Sequence, residues 1–401
     1  MSMISANTRT SIGIALAWTG IPVGMNLNYL LPIIGWSPVI MTLSILLIVR
    51  YYNLFTGKLT FSGISLALIF YQILMLIYGL FSENMTTQYL TFHMYIIALV
   101  VALATNSRDR MESAPVIEWT FIVSGVCSVL GAVYLWRGLI VGEQAWQLRQ
   151  ENEDYVLEIF VVSAAALINF ASVLYFPSEK YRLSNFIIYP VLLADIYVVF
   201  FGGKRTPLIV MIAILVMFLI KRNKIRSASF YVYSAVAILV PTLFYFANYD
   251  FREKVDNSVQ NTISGLSVIF GNVKVSDESG SAYSRYEARE WAYDHIVNDF
   301  TLFNSVFGGG YMLKWLDNPL LQSYLDMGVL GFLGYFFLVI VYPLSFMLKR
   351  RSSTIEIYAL SFCIHGVLSA INSGNPYMYL KYVPIAMLSF FASGSSQDRS
   401  S

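Results

Sequence analysis

The sequence predicts an all-α polytopic integral membrane protein with about 12 transmembrane helices and one long external loop. Of the 401 residues, 57% are hydrophobic and only 12% are charged, which is about half the charged fraction of an ordinary soluble domain. The hydrophobic residues also fall in runs close to the length of about 20 residues that a helix needs to cross a bilayer. This composition excludes a soluble globular enzyme, a disordered protein and a nucleic-acid binder.

The predicted spans divide the chain into four parts. Residues 1–248 contain transmembrane helices 1–9, residues 249–327 form a large external loop with short helices, residues 328–393 contain transmembrane helices 10–12, and residues 394–401 form a tail. The predicted spans are 11–27, 32–49, 61–81, 88–106, 115–136, 156–176, 185–202, 206–220, 229–248, 328–348, 356–372 and 378–393.

Basic residues orient this predicted bundle. With the N-terminus in the cytoplasm, 15 of the 26 Lys and Arg residues fall in the inside segments, and cytoplasmic loops are the ones enriched in positive charge. Both termini are therefore predicted to be cytoplasmic. The N-terminal run has no small-residue cleavage site, so we interpret it as a retained first helix.

The loop 249–327 differs from the rest of the chain, because it holds 17 of the 50 charged residues. A loop of this length in a compact bundle is usually functional. Cys127 and Cys363 both lie in apolar runs, so the sequence predicts neither a disulfide framework nor a zinc site.

The first candidate motif is the turn GGKRTP at residues 202–207, on the outer side between the seventh and eighth spans. Thr206 can cap the eighth helix, and Pro207 suits its first turn. Lys204 and Arg205 then stand at the positive end of a helix dipole, where an anion such as a phosphate at headgroup level would bind. The alternative is a plain turn whose cations meet any lipid headgroup.

The second motif is SRYEAREW, which begins at Ser284 in the long loop. Ser284 and Glu287 have capping-box spacing and predict the start of a helix. Arg285 and Arg289 share one face of it, and two guanidiniums match a pyrophosphate because each donates two parallel hydrogen bonds. The other face holds Glu287, Glu290 and Asp294. The alternative is a solvated helix whose charges only face water.

The third motif comprises FGGGY at residues 307–311 and the run that begins at Asp317. Asn318 before Pro319 predicts a helix cap, with Asp317 just ahead of the helix and Gln322 one turn inside it. The functional hypothesis makes Asp317 a general base, with Asn318 and Gln322 as orienting hydrogen-bonding groups. The alternative is that Asp317 and Asn318 only cap the helix.

Ionisable residues inside the predicted spans are functional candidates by default. They are His93, Glu118, Glu158, Asp195 and His365. The alternative for each is a structural pair with a neighbouring helix.

Together the three motifs resemble the O-antigen polymerase and O-antigen ligase superfamily of bacterial envelopes. The matching stretches are GGKRTPLIVMIAILV from Gly202, SRYEAREWAYDHI from Ser284, FGGGY from Phe307 and DNPLLQSYLDMGVLGFLGY from Asp317. The resemblance rests on the order of these motifs and on their common topological side, and it covers residues 202–335.

The resemblance implies a GT-C-like enzyme of the bacterial inner membrane that uses undecaprenyl diphosphate-linked oligosaccharides at the periplasmic face, without a cofactor or a metal. A polymerase moves the growing glycan onto the terminal sugar of a new lipid-linked repeat unit, whereas a ligase moves the finished chain onto lipid A core. A chain-length regulator and a flippase of the same pathway are the implied partners beside membrane lipids, and nucleic acid is not one.

The expected roles follow from the charge of the leaving diphosphate. Arg205, Arg285 and Arg289 would stabilise that charge, since a single preorganised donor is worth about 3–4 kcal/mol in such reactions. Asp317 is the first candidate for the base, with Glu287 and Asp294 in reserve. The rest of the predicted binding set is Lys204, Asn318, Gln322, Glu287 and Tyr311.

One departure from the family pattern favours the polymerase. A His commonly precedes the matched Asn, and it is thought to be catalytic in the ligases, but this chain has Asp317 at that position.

The rival from another class is a secondary transporter with 12 spans, with Asp195, Glu158 and His93 as coupling sites. Many such transporters have two similar halves, which this chain lacks because its long loop lies late in the sequence. A third interpretation is a non-catalytic accessory protein, in which the arginines and Asp317 would tolerate change.

Overall fold

The computed structural model describes residues 6–31, 35–106, 112–141, 159–176, 184–201, 205–221, 245–246, 252, 256, 281–349, 352–371 and 373–396. The structure is 83% helical, and its described residues contain no strand. The predicted all-α class is therefore confirmed.

The helices before the long loop follow one another with short connections. They are α1 (Ala6–Leu30), α2 (Trp36–Ile48), α3 (Tyr51–Phe55), α4 (Gly63–Leu80), α5 (Thr87–Ala104), α6 (Ser113–Val141), α7 (Ile159–Tyr175), α8 (Ser184–Phe201) and α9 (Arg205–Lys221). The later helices are α10 (Ser281–Asn298), α11 (Leu302–Phe307), α12 (Pro319–Tyr335), α13 (Tyr342–Leu348), α14 (Thr354–Ser369) and α15 (Tyr379–Ser396). A π-helical segment, Phe336–Val341, joins α12 to α13.

Among the described residues, four helices are long and apolar enough to cross a membrane. They are Gly63–Leu80, Thr87–Ala104, Ser113–Leu135 and Pro319–Leu348. Several shorter helices are also apolar, so the chain is a membrane protein. Every predicted span coincides with a described helix except 229–248, which lies almost wholly outside the described residues. The number of 12 spans stays a prediction.

Side-chain caps set the start of several helices. Ser62 accepts a hydrogen bond from Ser65 N at the start of α4, and Ser353 forms a complete capping box with Glu356 at the start of α14. These side chains satisfy N–H groups that the first turn of a helix leaves unpaired. The borders between loop and helix at these points are therefore determined by local sequence.

Polar contacts show which connections between helices lie at the same end of the bundle. At one end, Arg50 Nε donates to Asn106 Oδ1 at 2.8 Å. At the other end, Ser82 Oγ donates to the carbonyl oxygen of Tyr311 at 2.9 Å, so the connection after α4 touches the long loop. Both pairings agree with the predicted alternation of inside and outside segments.

Helix α12 is kinked at Gly328, where φ is 61° and ψ is −155°. The two amides that follow Gly308 donate to the carbonyl oxygens of Leu325 and Asp326, at 2.8 and 3.1 Å. A Cβ at Gly308 would lie 2.2 Å from the Asp326 oxygen, so only glycine lets the two backbones meet. The predicted span 328–348 begins at this kink.

Candidate functional site

Helix α10 begins at Ser281, so the prediction that it starts with a capping box at Ser284 was wrong. Ala282 is a strong helix former, and the helix takes in the residues ahead of Ser284. The prediction that the two arginines share one face of the helix and the acidic residues share another does not depend on where the helix starts, because the spacing of the charged residues is unchanged.

The two faces of α10 lie in opposite environments. Ala288 and Ala292 are buried and form a small apolar cluster with Leu316. Arg285 and Arg289 lie on this inward side and are partly buried. The exposed residues of the opposite face include Glu287, Glu290 and Asp294. The arginines therefore turn toward the protein, which a purely solvated helix would not require.

The Asp317 carboxylate lies beside this inward face. Arg285 Nε donates to Asp317 Oδ2 at 2.9 Å, and Trp315 Nε1 and Gly374 N donate to Oδ1 at 2.9 and 3.1 Å. A carboxylate has about four lone-pair positions, so these donors leave one on Oδ2. Because the Asp317 side chain is 23% exposed, a ligand can reach it.

The backbone at Asp317 has an unusual conformation. Its φ of 50° lies in the left-handed region, which Asp enters more readily than most residues at a cost of about 1–3 kcal/mol. The chain turns here immediately before Asn318 caps α12, and the turn brings the carboxylate into contact with α10.

Both arginines keep hydrogen-bond donors that have no partner within the described part of the chain. Arg285 uses only Nε in its ion pair, which leaves both Nη groups. Arg289 Nη2 donates to the Ile371 oxygen at 3.2 Å, while its Nε is buried without a described partner. Burial lowers the pKa of Arg289, and the charges of Arg285 and Asp317 both act on it. The three groups therefore form one charged cluster.

A lysine near the start of α15 has only neutral hydrogen-bond partners among the described residues. Lys381 is buried, and its Nζ donates to Ser369 Oγ at 3.0 Å and to the Ser373 oxygen at 3.5 Å. No described carboxylate lies within ion-pair distance of it, so we do not count it in the charged cluster. Two guanidiniums beside one carboxylate give a positive site that suits an anion.

A buried polar network lies beneath the cluster, and the sequence did not predict it. Asp326 Oδ2 accepts a hydrogen bond from Tyr377 OH at 2.7 Å. The Tyr377 ring lies against Tyr311, with 4.1 Å between the centroids, and Tyr311 OH is 3.3 Å from His93 Nε2. The network joins α5, the loop 308–311 between α11 and α12, α12 itself and the turn before α15. It therefore supports the charged residues above it.

Three predicted binding residues support the site from inside. Asn318 caps α12 by accepting a hydrogen bond from Leu321 N at 3.1 Å, as the alternative interpretation held. Gln322 is fully buried, and its Nε2 lies 3.4 Å from Met312 Sδ. Tyr311 is also buried. The structure places these three side chains in structural contacts, and their contact with a substrate stays a prediction.

The remaining predicted residues lie elsewhere. The structure does not bring the reserve bases Glu287 and Asp294 to Asp317, because both are exposed on the outer face of α10. Lys204 and the side chain of Arg205 lie outside the described residues. Helix α9 begins at Arg205, one residue before the predicted span, so Thr206 lies inside the helix and was wrongly predicted to cap it. Helix ends commonly differ by this much.

Of the ionisable residues within spans, Asp195 has a clear set of partners. Its carboxylate accepts hydrogen bonds from Ser128 Oγ at 2.5 Å and from Asn169 Nδ2 at 2.9 and 3.1 Å. His93 belongs to the network beneath the cluster, since its Nδ1 lies 2.7 Å from Gln72 Oε1. Both residues link neighbouring helices. Glu158 lies outside the described residues.

Among the residues that the structure describes, no group of three His, Cys, Asp or Glu side chains could hold a metal ion. The site is composed of two guanidiniums and one carboxylate. No protein-family model, curated protein or solved structure matches the chain.

Proposed function

We propose that this protein is a lipid-linked oligosaccharide glycosyltransferase that polymerises O-antigen or a related surface polysaccharide at the periplasmic face of the bacterial inner membrane. The proposal rests on one observation above all. Arg285 and Arg289 face inward around Asp317, next to the start of a long apolar helix. A positive, partly exposed cluster at that position suits a diphosphate whose lipid stays in the bilayer.

The donor substrate would place its diphosphate on the free arginine nitrogens. The Nη groups of Arg285 and the Nε of Arg289 have no partner within the described residues, and guanidinium N–H groups match phosphate oxygens in geometry. When the bond between the sugar C1 and the phosphate oxygen breaks, its electron pair remains on the diphosphate. The arginines would stabilise that added charge.

The acceptor would be a hydroxyl group of a second lipid-linked sugar. Its oxygen forms the new bond to C1 while its proton passes to the free lone pair on Asp317 Oδ2. That oxygen is also the one that holds Arg285, so the acceptor and the leaving group would meet at the same place. If Asp317 instead only orients Arg285, the acceptor proton would pass to solvent.

Two alternatives to the polymerase remain. A ligase would use the same donor chemistry with lipid A core as the acceptor. A transporter would use Asp195, whose carboxylate is fully buried between helices. The donors to Asp195 are neutral and belong to the adjacent helices, which favours a structural role.

The test is deletion of the gene in the source strain, followed by gel analysis of the surface polysaccharide. For a polymerase, we expect the ladder to collapse to a single-repeat band that wild type restores and Arg285→Ala does not. Glu290→Ala, on the exposed face of the same helix, is the matched control and should restore the ladder.

Two other outcomes would contradict the polymerase. Loss of all attached glycan, with long lipid-linked polymer accumulating, would indicate a ligase. An unchanged ladder in the deletion strain would return attention to the transporter.

A further inference from the structure

Helix α11 has the reverse of the exposure pattern that a helix in water shows. Its apolar side chains are the exposed ones. They are Leu302 at 84%, Phe303 at 69%, Val306 at 37% and Phe307 at 40%. The polar residues Asn304 and Ser305 are less exposed, and each is hydrogen-bonded to Thr301. A group of exposed apolar side chains indicates a surface that another phase or molecule covers.

Backbone contacts fix α11 to the kink in α12. A Cβ at Gly308 would lie 2.2 Å from the Asp326 oxygen, and a Cβ at Gly328 would lie 2.4 Å from the Val306 backbone. The amides after Gly308 are also bonded to carbonyl groups ahead of the kink. Because of these contacts, the depth of α11 in the bilayer is set by the depth of Gly328.

The length of the continuing helix places Gly328 at one edge of the bilayer. From Gly328 to Leu348 the helix is about 30 Å long at about 1.5 Å per residue, and the hydrocarbon core is about 30 Å thick. The exposed side chains on this stretch include Val329, Leu330, Leu333, Phe336 and Phe337. Three basic residues, 349–351, follow Leu348 at the other edge. Gly328 therefore lies at the outer boundary of the hydrocarbon core.

We propose that α11 lies in the membrane interface, with Leu302, Phe303, Val306 and Phe307 inserted into the outer leaflet. The occupant of this face is the bilayer itself, because the face adjoins the apolar surface of α12 and α11 has no charged residue. Interfacial segments of this kind bury their apolar side about 5–10 Å into the boundary between headgroups and acyl chains.

The anchor has a consequence for the charged cluster. Phe300, directly before α11, lies against Tyr324 with 6.2 Å between the ring centroids and packs on the apolar cluster of Ala288 and Ala292. Insertion of α11 thus holds α10 and its arginines near the height of the lipid headgroups. This position would be the same whether or not the protein is a transferase.

The test uses the full chain in lipid nanodiscs, with Cys127 and Cys363 replaced by Ala and one NBD fluorophore attached to Phe303→Cys. Leu333→Cys reports a lipid-facing site on α12, and Glu290→Cys reports a water-facing site on α10. We expect the Phe303→Cys emission to be shifted to the blue and quenched by spin-labelled lipid, as at Leu333→Cys. Iodide should quench Glu290→Cys several-fold more strongly than Phe303→Cys.

Two results would overturn this proposal. Strong quenching of the Phe303→Cys label by iodide would place α11 in water. Protection from both quenchers would mean that protein covers the helix, for example residues 257–280 of this chain or a partner. Leu302→Cys, at the most exposed position of α11, repeats the measurement if the first variant does not fold.

Discussion

Two carboxylates in this molecule each accept three hydrogen bonds, and their surroundings differ in charge and access. Asp195 is fully buried, and its donors are the neutral side chains of Ser128 and Asn169. Asp317 is partly exposed, and one of its donors is the guanidinium of Arg285. The first joins α6, α7 and α8, whereas the second lies among groups from α10 and two loops.

The number of hydrogen bonds therefore does not separate a functional site from a structural one. Around Asp317 the cations outnumber the carboxylates, because Arg289 acts on the same cluster as Arg285. Uncompensated charge in a partly dry place is costly unless a partner binds. We therefore expect an anionic ligand at Asp317 and none at Asp195, and each of the following experiments tests that difference.

The largest effect is expected from Asp317→Asn. The amide oxygen can still accept hydrogen bonds from Trp315 and Gly374, but the amide cannot take a proton, and its NH₂ group would face the Arg285 Nε–H that now donates to Oδ2. General bases contribute about 10²–10⁴-fold to a rate, so polymer formation by the purified protein in proteoliposomes should fall by at least that factor.

A matched substitution tests whether the carboxylate is a base or an orienting group. Trp315→Phe removes one donor to Asp317 and leaves its charge, so it should retain most of the activity. If Asp317→Asn raises KM and leaves kcat unchanged, the carboxylate contributes only to substrate binding, since such a pattern reports lost binding and not lost chemistry. That result would contradict the proposal that Asp317 is the general base.

The next effect in size is expected from Arg285→Ala. Removal of one preorganised donor to a developing charge costs about 10²–10³-fold in rate, which should leave the single-repeat band without a ladder on a gel. Arg285→Lys keeps the charge without the planar fork of donors and should recover only part of the activity. If Arg205→Ala, Arg285→Ala and Arg289→Ala all gave normal polymer length, the proposed function would be abandoned.

Local sequence predicted the elements of this site better than their contacts. The cap at Asn318 and the opposite faces of α10 both follow from patterns within a few residues. Helix periodicity and capping are local effects. The spacing of Arg285 and Arg289 was therefore enough to place them on one face.

The support beneath the site could not be predicted in the same way. Asp326 was visible inside the third motif, but its partner Tyr377 lies 51 residues further along the chain. Lys381 is buried and donates to Ser369, at the end of α14. These contacts depend on how the turn before α15 meets α12 and on how α14 and α15 pack together, and no periodicity within a single helix specifies that packing.

A smaller effect, on stability alone, is expected from Gly328→Ala. The φ of 61° there is unfavourable for a residue with a side chain, and the new Cβ would lie 2.4 Å from the backbone of Val306. This combination of φ and ψ is essentially restricted to glycine and costs another residue about 1–3 kcal/mol, so the melting temperature in detergent should fall. Gly63→Ala is the control, because no atom lies within 4 Å of its added Cβ. If Gly328→Ala had the same melting temperature as wild type, the backbone conformation described at Gly328 would be contradicted.

The smallest effect is expected from Asp195→Asn. The new NH₂ group would face Ser128 or Asn169, which now donate to the carboxylate, so at least one buried group would lose its partner at a cost of about 1–2 kcal/mol. The protein should therefore melt at a lower temperature and still restore the polysaccharide ladder in the deletion strain, because no bound anion or proton transfer depends on this residue. Loss of the ladder by a variant that remains folded would give Asp195 a working role like that proposed for Asp317. In that case burial and neutral donors would not be sufficient evidence of a structural carboxylate.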